Sequence, residues 1–251
     1  MEQKTRRLPG INSLAPGDWL WVDEVYGAQM AYREQLLAER LDEVYRQNAQ
    51  ALPAAQELLA MILNEVGALD GFEVSRDHVI CQDGRRIGIN QAEPLITAAR
   101  LVQEDLILME GQGDEHLLTA GVLCFPASWS LAEKFGKNLV GIHTPVAEYT
   151  DDLARRVQRL FDHIKPERPM WRANFLTYAN PDLFQPRVEN NRRQAESAGD
   201  LWVRVERQCL LKLPITGAVV FSIHSHVVPI SVLSEPERDE LFTQQKGPPE
   251  E

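Results

Sequence analysis

Cysteine is scarce in this chain and nowhere paired. Cys81, Cys124 and Cys209 are the only three in 251 residues, and none stands in a C-x-x-C spacing. That excludes a disulfide scaffold and a cysteine-rich zinc module, and the expectation is three buried thiols in a reducing cytoplasm. Basic residues are also in deficit: 26 Lys and Arg face 37 Asp and Glu, for a formal net charge of −11. A phosphate backbone would be repelled, so nucleic acid is excluded as a partner. No run approaches the roughly 18 consecutive apolar residues of a membrane-spanning helix. The opening MEQKTRRLPG lacks the apolar centre of a secretory leader, so a cytoplasmic protein with no membrane partner is expected. Missing too are G-x-G-x-x-G after a strand, a Walker loop, G-x-S-x-G and H-E-x-x-H.

What is present is enough chain for one large domain, or one domain with an added helical lobe. Residues 1–18 read as an irregular lead-in ending in Pro16-Gly17-Asp18. The apolar spacing from Tyr26 to Asn48 predicts a helix, and a second runs from Pro53 through Val66 before Gly67 and Gly71. Phe72–Val74, His78–Gln82 and Arg86–Ile89 read as short strands, with a hairpin signal at Asp83-Gly84. Pro94–Val102 is expected to be helical. Leu106–Glu110 and Leu117–Phe125 are expected to pair across Gly111-Gln112-Gly113-Asp114. Ser130–Phe135 carries a capping box, Ser130 with Glu133. Asp151–Ile164 is a further helix, entered through Thr150 or Asp151. Trp171–Tyr178, Leu201–Leu211 and Gly217–Val228 read as strands, Asn190–Gly199 as an exposed loop, and Glu235–Phe242 as a last helix capped by Ser234. The fold class is α+β with a largely antiparallel sheet. The division expected is an N-terminal helical segment over 1–70, a core over 71–243 and a disordered tail over 244–251.

Three stretches carry the candidate chemistry. CFPASWSLAEKFGKNLVGIHTPVAEY, Cys124 to Tyr149, holds His143 among Leu139, Val140, Ile142 and Val146, with Thr144 and Pro145 following. It also holds the aromatic anchors Phe125 and Trp129 and the basic pair Lys134 and Lys137. WRANFLTYANPDLF, Trp171 to Phe184, sets Arg172 and Asn174 on one face of a strand. LWVRVERQCLLKLPITGAVVFSI, Leu201 to Ile223, sets Arg204, Glu206 and Gln208 on one face and Arg207 on the other. A buried arginine–glutamate pair is costly unless well hydrogen-bonded or given a task, and the alternative is an exposed cross-strand ion pair. His224 and His226, two apart, share one strand face. That spacing could seat a metal, but no third ligand stands nearby in the sequence, and zinc needs three or four. The plainer expectation is a half-exposed strand face. His78, His116 and His163 are expected to be solvated.

Taken in order, the three stretches resemble the signature blocks of a bacterial family that includes haem-dependent oxidative N-demethylases. The resemblance implies a PAS-like sheet cupping a haem b. With no C-x-x-C-H, that haem would be held non-covalently. It implies His143 as the iron ligand, with Arg207, Arg172 and Lys134 holding the cofactor. Glu206 and Arg204 would be the catalytic pair, Glu206 positioning an amine. The implied reaction removes a methyl group from a small secondary or tertiary methylamine with dioxygen, through a carbinolamine that collapses to formaldehyde and the demethylated amine. Electrons would come from NADPH through a separate reductase. The sequence departs from the family's pattern at Phe175, where tryptophan is usual. It departs again at His224 and His226, where arginine and an aromatic residue are. Two other readings stay open: a haem-binding PAS-like sensor without turnover, and a subunit of a multicomponent amine monooxygenase.

Overall fold

A computed structural model of the chain describes residues 10–143, 151–187 and 201–245. The expected loop at 190–199, the residues Thr144, Pro145, Val146 and Thr150, and residues 246–251 of the expected tail lie outside the described residues. Strand β1 (Asn12–Ser13) is followed by helices α1 (Tyr26–Glu39) and α2 (Leu41–Val44), strand β2 (Tyr45–Gln47) and helix α3 (Leu52–Val66). The short strands β3 (Glu73–Val74), β4 (His78–Ile80) and β5 (Arg86–Gly88) form a small sheet of their own. Gly84 takes the left-handed conformation, φ +81°, that the Asp83-Gly84 turn needs. Helix α4 (Pro94–Ala99) leads into the hairpin β6 (Asp105–Gln112) and β7 (Glu115–Val122). Helices α5 (Leu131–Lys134), α6 (Leu139–His143) and α7 (Asp151–His163) come next. The strands β8 (Met170–Tyr178), β9 (Trp202–Lys212) and β10 (Val219–Pro229) follow, then helix α8 (Glu235–Gln245).

The main sheet has seven strands in the order β1-β8-β9-β10-β6-β7-β2. Every pairing in it is antiparallel. At its centre a hairpin, β6–β7, and a later meander, β8–β9–β10, are joined through α5–α7. This is α+β as expected, and the arrangement is compatible with a PAS-like sheet. The helix expected over Tyr26–Asn48 differs. It breaks at Arg40, whose φ of −134° is non-helical, and Tyr45–Gln47 pairs with Val122–Ala120 instead. The apolar spacing around Val44 and Tyr45 suits a helix face, but the free edge of β7 supplies ladder hydrogen bonds that override it.

Alternation along the strands assigns side chains to two faces. The β8–β9 register sets Arg172 opposite Gln208 and Asn174 opposite Glu206, so these share a face with Arg204. The β9–β10 register sets Arg207 opposite His224 on the other face. Ile107, Met109, Leu118 and Val219 bury against Leu131, Leu139 and Phe161 of α5–α7 and Ile164 just after α7, and this defines the helix side. Leu106, Leu108, Ala120, Val220 and Cys209 join the larger core with α1, α3 and α4. The N-terminal segment therefore supplies both edge strands of the main sheet and much of the larger core.

Candidate functional site

On the helix side, His143 ends α6 and is half-buried. Its Nδ1–H donates to the Leu139 carbonyl at 2.7 Å. A carbonyl only accepts, so this bond assigns the proton to Nδ1 and the lone pair to Nε2. Burial pushes the imidazole toward its neutral form against the opposing pull of the Leu139 hydrogen bond, and the nearby charges of Lys134 and Arg172 add to the push. A neutral ring oriented through its second nitrogen is the form in which histidine ligates a metal. Lys134, on α5, is buried. The Ser130 hydroxyl caps α5, accepting the Glu133 N–H. Arg172 is half-buried, and loss of water lowers its pKa, with only the charge of Glu206 opposing.

Glu206 is a buried carboxylate of this face, and a network fixes it. Arg204 Nε donates to Glu206 Oε1 at 3.2 Å, and Gln208 Nε2 donates to Oε2 at 3.1 Å. Burial raises the Glu206 pKa, against the opposing pull of Arg204 and Gln208. The rest of the Arg204 guanidinium donates to the Leu183 and Phe125 carbonyls and to Ser225 Oγ. The Phe125 segment is held from its other end by Asp105, whose carboxylate accepts the N–H groups of Cys124 and Phe125, both at 2.8 Å. Arg33 of α1 donates to Asp105 at 2.9 Å, and both side chains are fully buried. Arg33 also donates to the Gln103 carbonyl and lies over the Phe125 ring, 4.6 Å from its centroid. A continuous chain of charge-assisted bonds thus runs from α1 to Glu206. Of it, the sequence pattern pointed only to the Arg204–Glu206–Gln208 end. Arg33 and Asp105 carry no local motif, and their sequence separation of 72 hides the pair.

The structure brings together His143, Lys134, Arg172, Glu206 and Arg204, and places Arg207 elsewhere. Arg207 lies on the opposite face and donates to the Asp18 and Trp19 carbonyls. It sits 4.1 Å over the Trp21 ring and 5.6 Å from that of Trp171. The segment Asp18–Asp23 therefore forms a strap across that face. Trp19 Nε1 donates to Ser222 Oγ at 2.9 Å, and the Trp21 N–H donates to Glu104 Oε1 at 3.0 Å.

Under the strap lie the two histidines of β10. His224 is buried rather than half-exposed, and His226 is partly so. The His224 Nδ1 stands 3.0 Å from Glu104 Oε1, and its Nε2 stands 3.4 Å from Asp23 Oδ2. His226 Nδ1 is 3.3 Å from the same Asp23 oxygen. Burial alone would press His224 toward the neutral form, but hydrogen bonds to Asp23 and Glu104, and their charges, hold it up to about 9. Asp23 falls to about 2: burial opposes the shift, and hydrogen bonds from His224 and Gln103 outweigh it. Burial, then the neighbouring His224 charge, lowers His226. The third candidate donor that the sequence did not offer is Asp23, 201 residues from His224. His116 also departs from expectation. It is buried in β7, its ring edge-on to Phe161 at 5.4 Å.

The fold and site define a class: an α+β protein in which an oriented imidazole from α6 and a cluster of cations gather on the helix-covered side of the main sheet. The comparison with protein families is specific. The family described as haem-dependent oxidative N-demethylase, alpha subunit-like, matches residues 10–251, and the chain belongs to that family. Among the described residues, no helix is long and apolar enough to cross a membrane.

Proposed function

We propose that the chain binds haem b non-covalently on the helix side of the main sheet and oxidatively demethylates a small methylamine. Membership of the haem-dependent N-demethylase family supports the reaction class. The carrying observation is His143, whose Nδ1–H is committed to Leu139 and whose ring burial keeps neutral. The residues fit the group: an imidazole ligand comes from α6, and the desolvated cation Arg172 comes from β8. Arg172 and Lys134 hold the propionates through charge-assisted bonds. Bound there, the haem supplies oxidation of the N-methyl carbon by dioxygen, releasing formaldehyde and the demethylated amine.

The protein residues do the positioning. Glu206, kept in place by Arg204 and Gln208, orients the amine nitrogen through its carboxylate and accepts its N–H. Arg204 is spent on Glu206 and on the Phe125 and Leu183 carbonyls, so its part is to fix that carboxylate. Arg207, on the strap side, pins Asp18–Trp19 and is left out of the haem contacts. The electrons come from NADPH through a separate reductase, and the family's description as an alpha subunit supports partner subunits.

The test is purified protein produced with sufficient haem. It is expected to show a Soret band that moves on reduction and on adding carbon monoxide. With an electron source and dioxygen, dimethylamine is expected to yield formaldehyde in step with oxygen consumed. A folded protein that takes up no hemin overturns the proposal. Stoichiometric haem without formaldehyde from a panel of methylamines favours the sensor reading instead.

A further inference from the structure

We propose that Asp23, His224 and His226 form a binding site for a divalent first-row transition-metal ion on the strap side of the sheet. The site is independent of the haem reading, since it lies on the face opposite His143. The donor atoms of the three residues lie within 4.8 Å of one another. Their arrangement is directed. Asp23 Oδ1 is already used, accepting from Gln103 Nε2 at 2.7 Å and from the Val25 N–H at 3.1 Å. This turns Oδ2 toward both rings, 3.4 Å from His224 Nε2 and 3.3 Å from His226 Nδ1. Those separations are long for charge-assisted hydrogen bonds, about 2.7–2.9 Å. They match two edges of a tetrahedron built on bonds of about 2.0–2.1 Å, which are about 3.3–3.4 Å long.

The surroundings fit a metal as well. Glu104 Oε1 accepts from His224 Nδ1 at 3.0 Å, the carboxylate–histidine relay that orients metal-ligating imidazoles. The other Glu104 oxygen, Oε2, is buried and has no hydrogen-bond partner among the described residues. Two carboxylates, one with an unsatisfied buried oxygen, thus stand around two imidazoles. Two imidazoles and a carboxylate select zinc, iron or a similar ion over magnesium or calcium. The Trp21 ring, 6.0 Å from each imidazole, closes one side. The His226 side chain is 30% exposed, which leaves a way in and a coordination position open to solvent. The ion would staple the strap to β10.

The experiment titrates the full chain, stripped with a chelator, with zinc alone in competition with a chromophoric zinc indicator. One zinc per chain at micromolar or tighter affinity is expected. His226→Ala and Asp23→Asn are each expected to weaken it about 100-fold, and Glu104→Gln about tenfold through the lost relay. Because His226 is partly exposed, His226→Ala should leave the circular dichroism spectrum unchanged. Cobalt(II) in place of zinc should give visible absorption of a four-coordinate site, absent in His226→Ala. No stoichiometric zinc on the wild-type chain overturns the proposal, leaving His224 as an imidazolium between two carboxylates. So does zinc binding of equal strength in His226→Ala and Asp23→Asn, which would put the ion elsewhere.

Discussion

On the strap side of the main sheet, Arg207 and His224 are met by groups of the same chain: the carbonyls of Asp18 and Trp19 for one, Asp23 and Glu104 for the other. On the helix side, Arg172 is half-buried with a lowered pKa, and the carboxylate that opposes that shift, Glu206, is already bonded to Arg204. The two sides bury charge under the same physics and reach different ends. The strap side brings its own counter-charges, Asp18 and Asp23 from the strap and Glu104 from just before β6. The helix side gathers cations beside the half-buried His143, and the haem proposal rests on that arrangement.

The sharpest way to break this contrast is at the network feeding the helix side. Asp105→Ala leaves Arg33 a buried, unpaired charge and frees the Cys124 and Phe125 N–H groups. A loss of about 3–5 kcal/mol in denaturant unfolding is expected. A loss under about 1 kcal/mol would mean that the segment holds itself without the ion pair.

Next in size is Gly121→Ala on β7. A Cβ there would lie 2.7 Å from Ile107 Cδ1 and 3.2 Å from Leu131 Cδ1, beneath α5. A destabilisation of about 1–3 kcal/mol is expected from overpacking. An equally stable variant would show that the ends of the Ile107 and Leu131 side chains turn aside to admit the methyl group.

Glu206→Gln keeps the shape and removes the charge. Its expected effect is a roughly tenfold rise in KM for dimethylamine with folding retained, corresponding to about 1.4 kcal/mol. An unchanged KM would reduce Glu206 to a partner of Arg204.

The smallest effect concerns His116, which burial holds below its ordinary value of 6.5 despite the neighbouring Asp162. The folded form binds the proton less readily than the unfolded one. Stability is therefore full above pH 6.5 and falls as the pH drops below it toward the lowered folded value. His116→Phe should reduce the slope of that part of the stability–pH curve, the remainder coming from His143 and His226, which are lowered likewise. A curve that keeps its slope would assign it to another group.

Much of this architecture was legible in strand and helix periodicity, and the reasons are local. Alternation alone sorted Arg204, Glu206 and Gln208 from Arg207, and the β8–β9 register agrees. Pro53 at the start of α3 and the Ser130–Glu133 cap were readable as short-range chemistry. What could not be read was long-range. Tyr45–Gln47 became a strand because β7 offered an edge, not because of its own pattern. His116 looked solvated among charges, yet α7 brings Phe161 onto it. The two-residue spacing of His224 and His226 was plain, while Glu104 and Asp23 are 120 and 201 residues from His224. The resemblance of three ordered blocks named the family, and no spacing within them reveals which residues share a face with His143.

The most direct test of the contrast between the two sides is the absorption spectrum of haem-loaded His143→Ala beside that of His226→Ala. The expected result is loss of haem, or a changed coordination spectrum, in His143→Ala, with the Soret band of His226→Ala at the wild-type position. An unchanged spectrum in His143→Ala together with a bleached His226→Ala would contradict the account and put the iron on β10, beneath the strap.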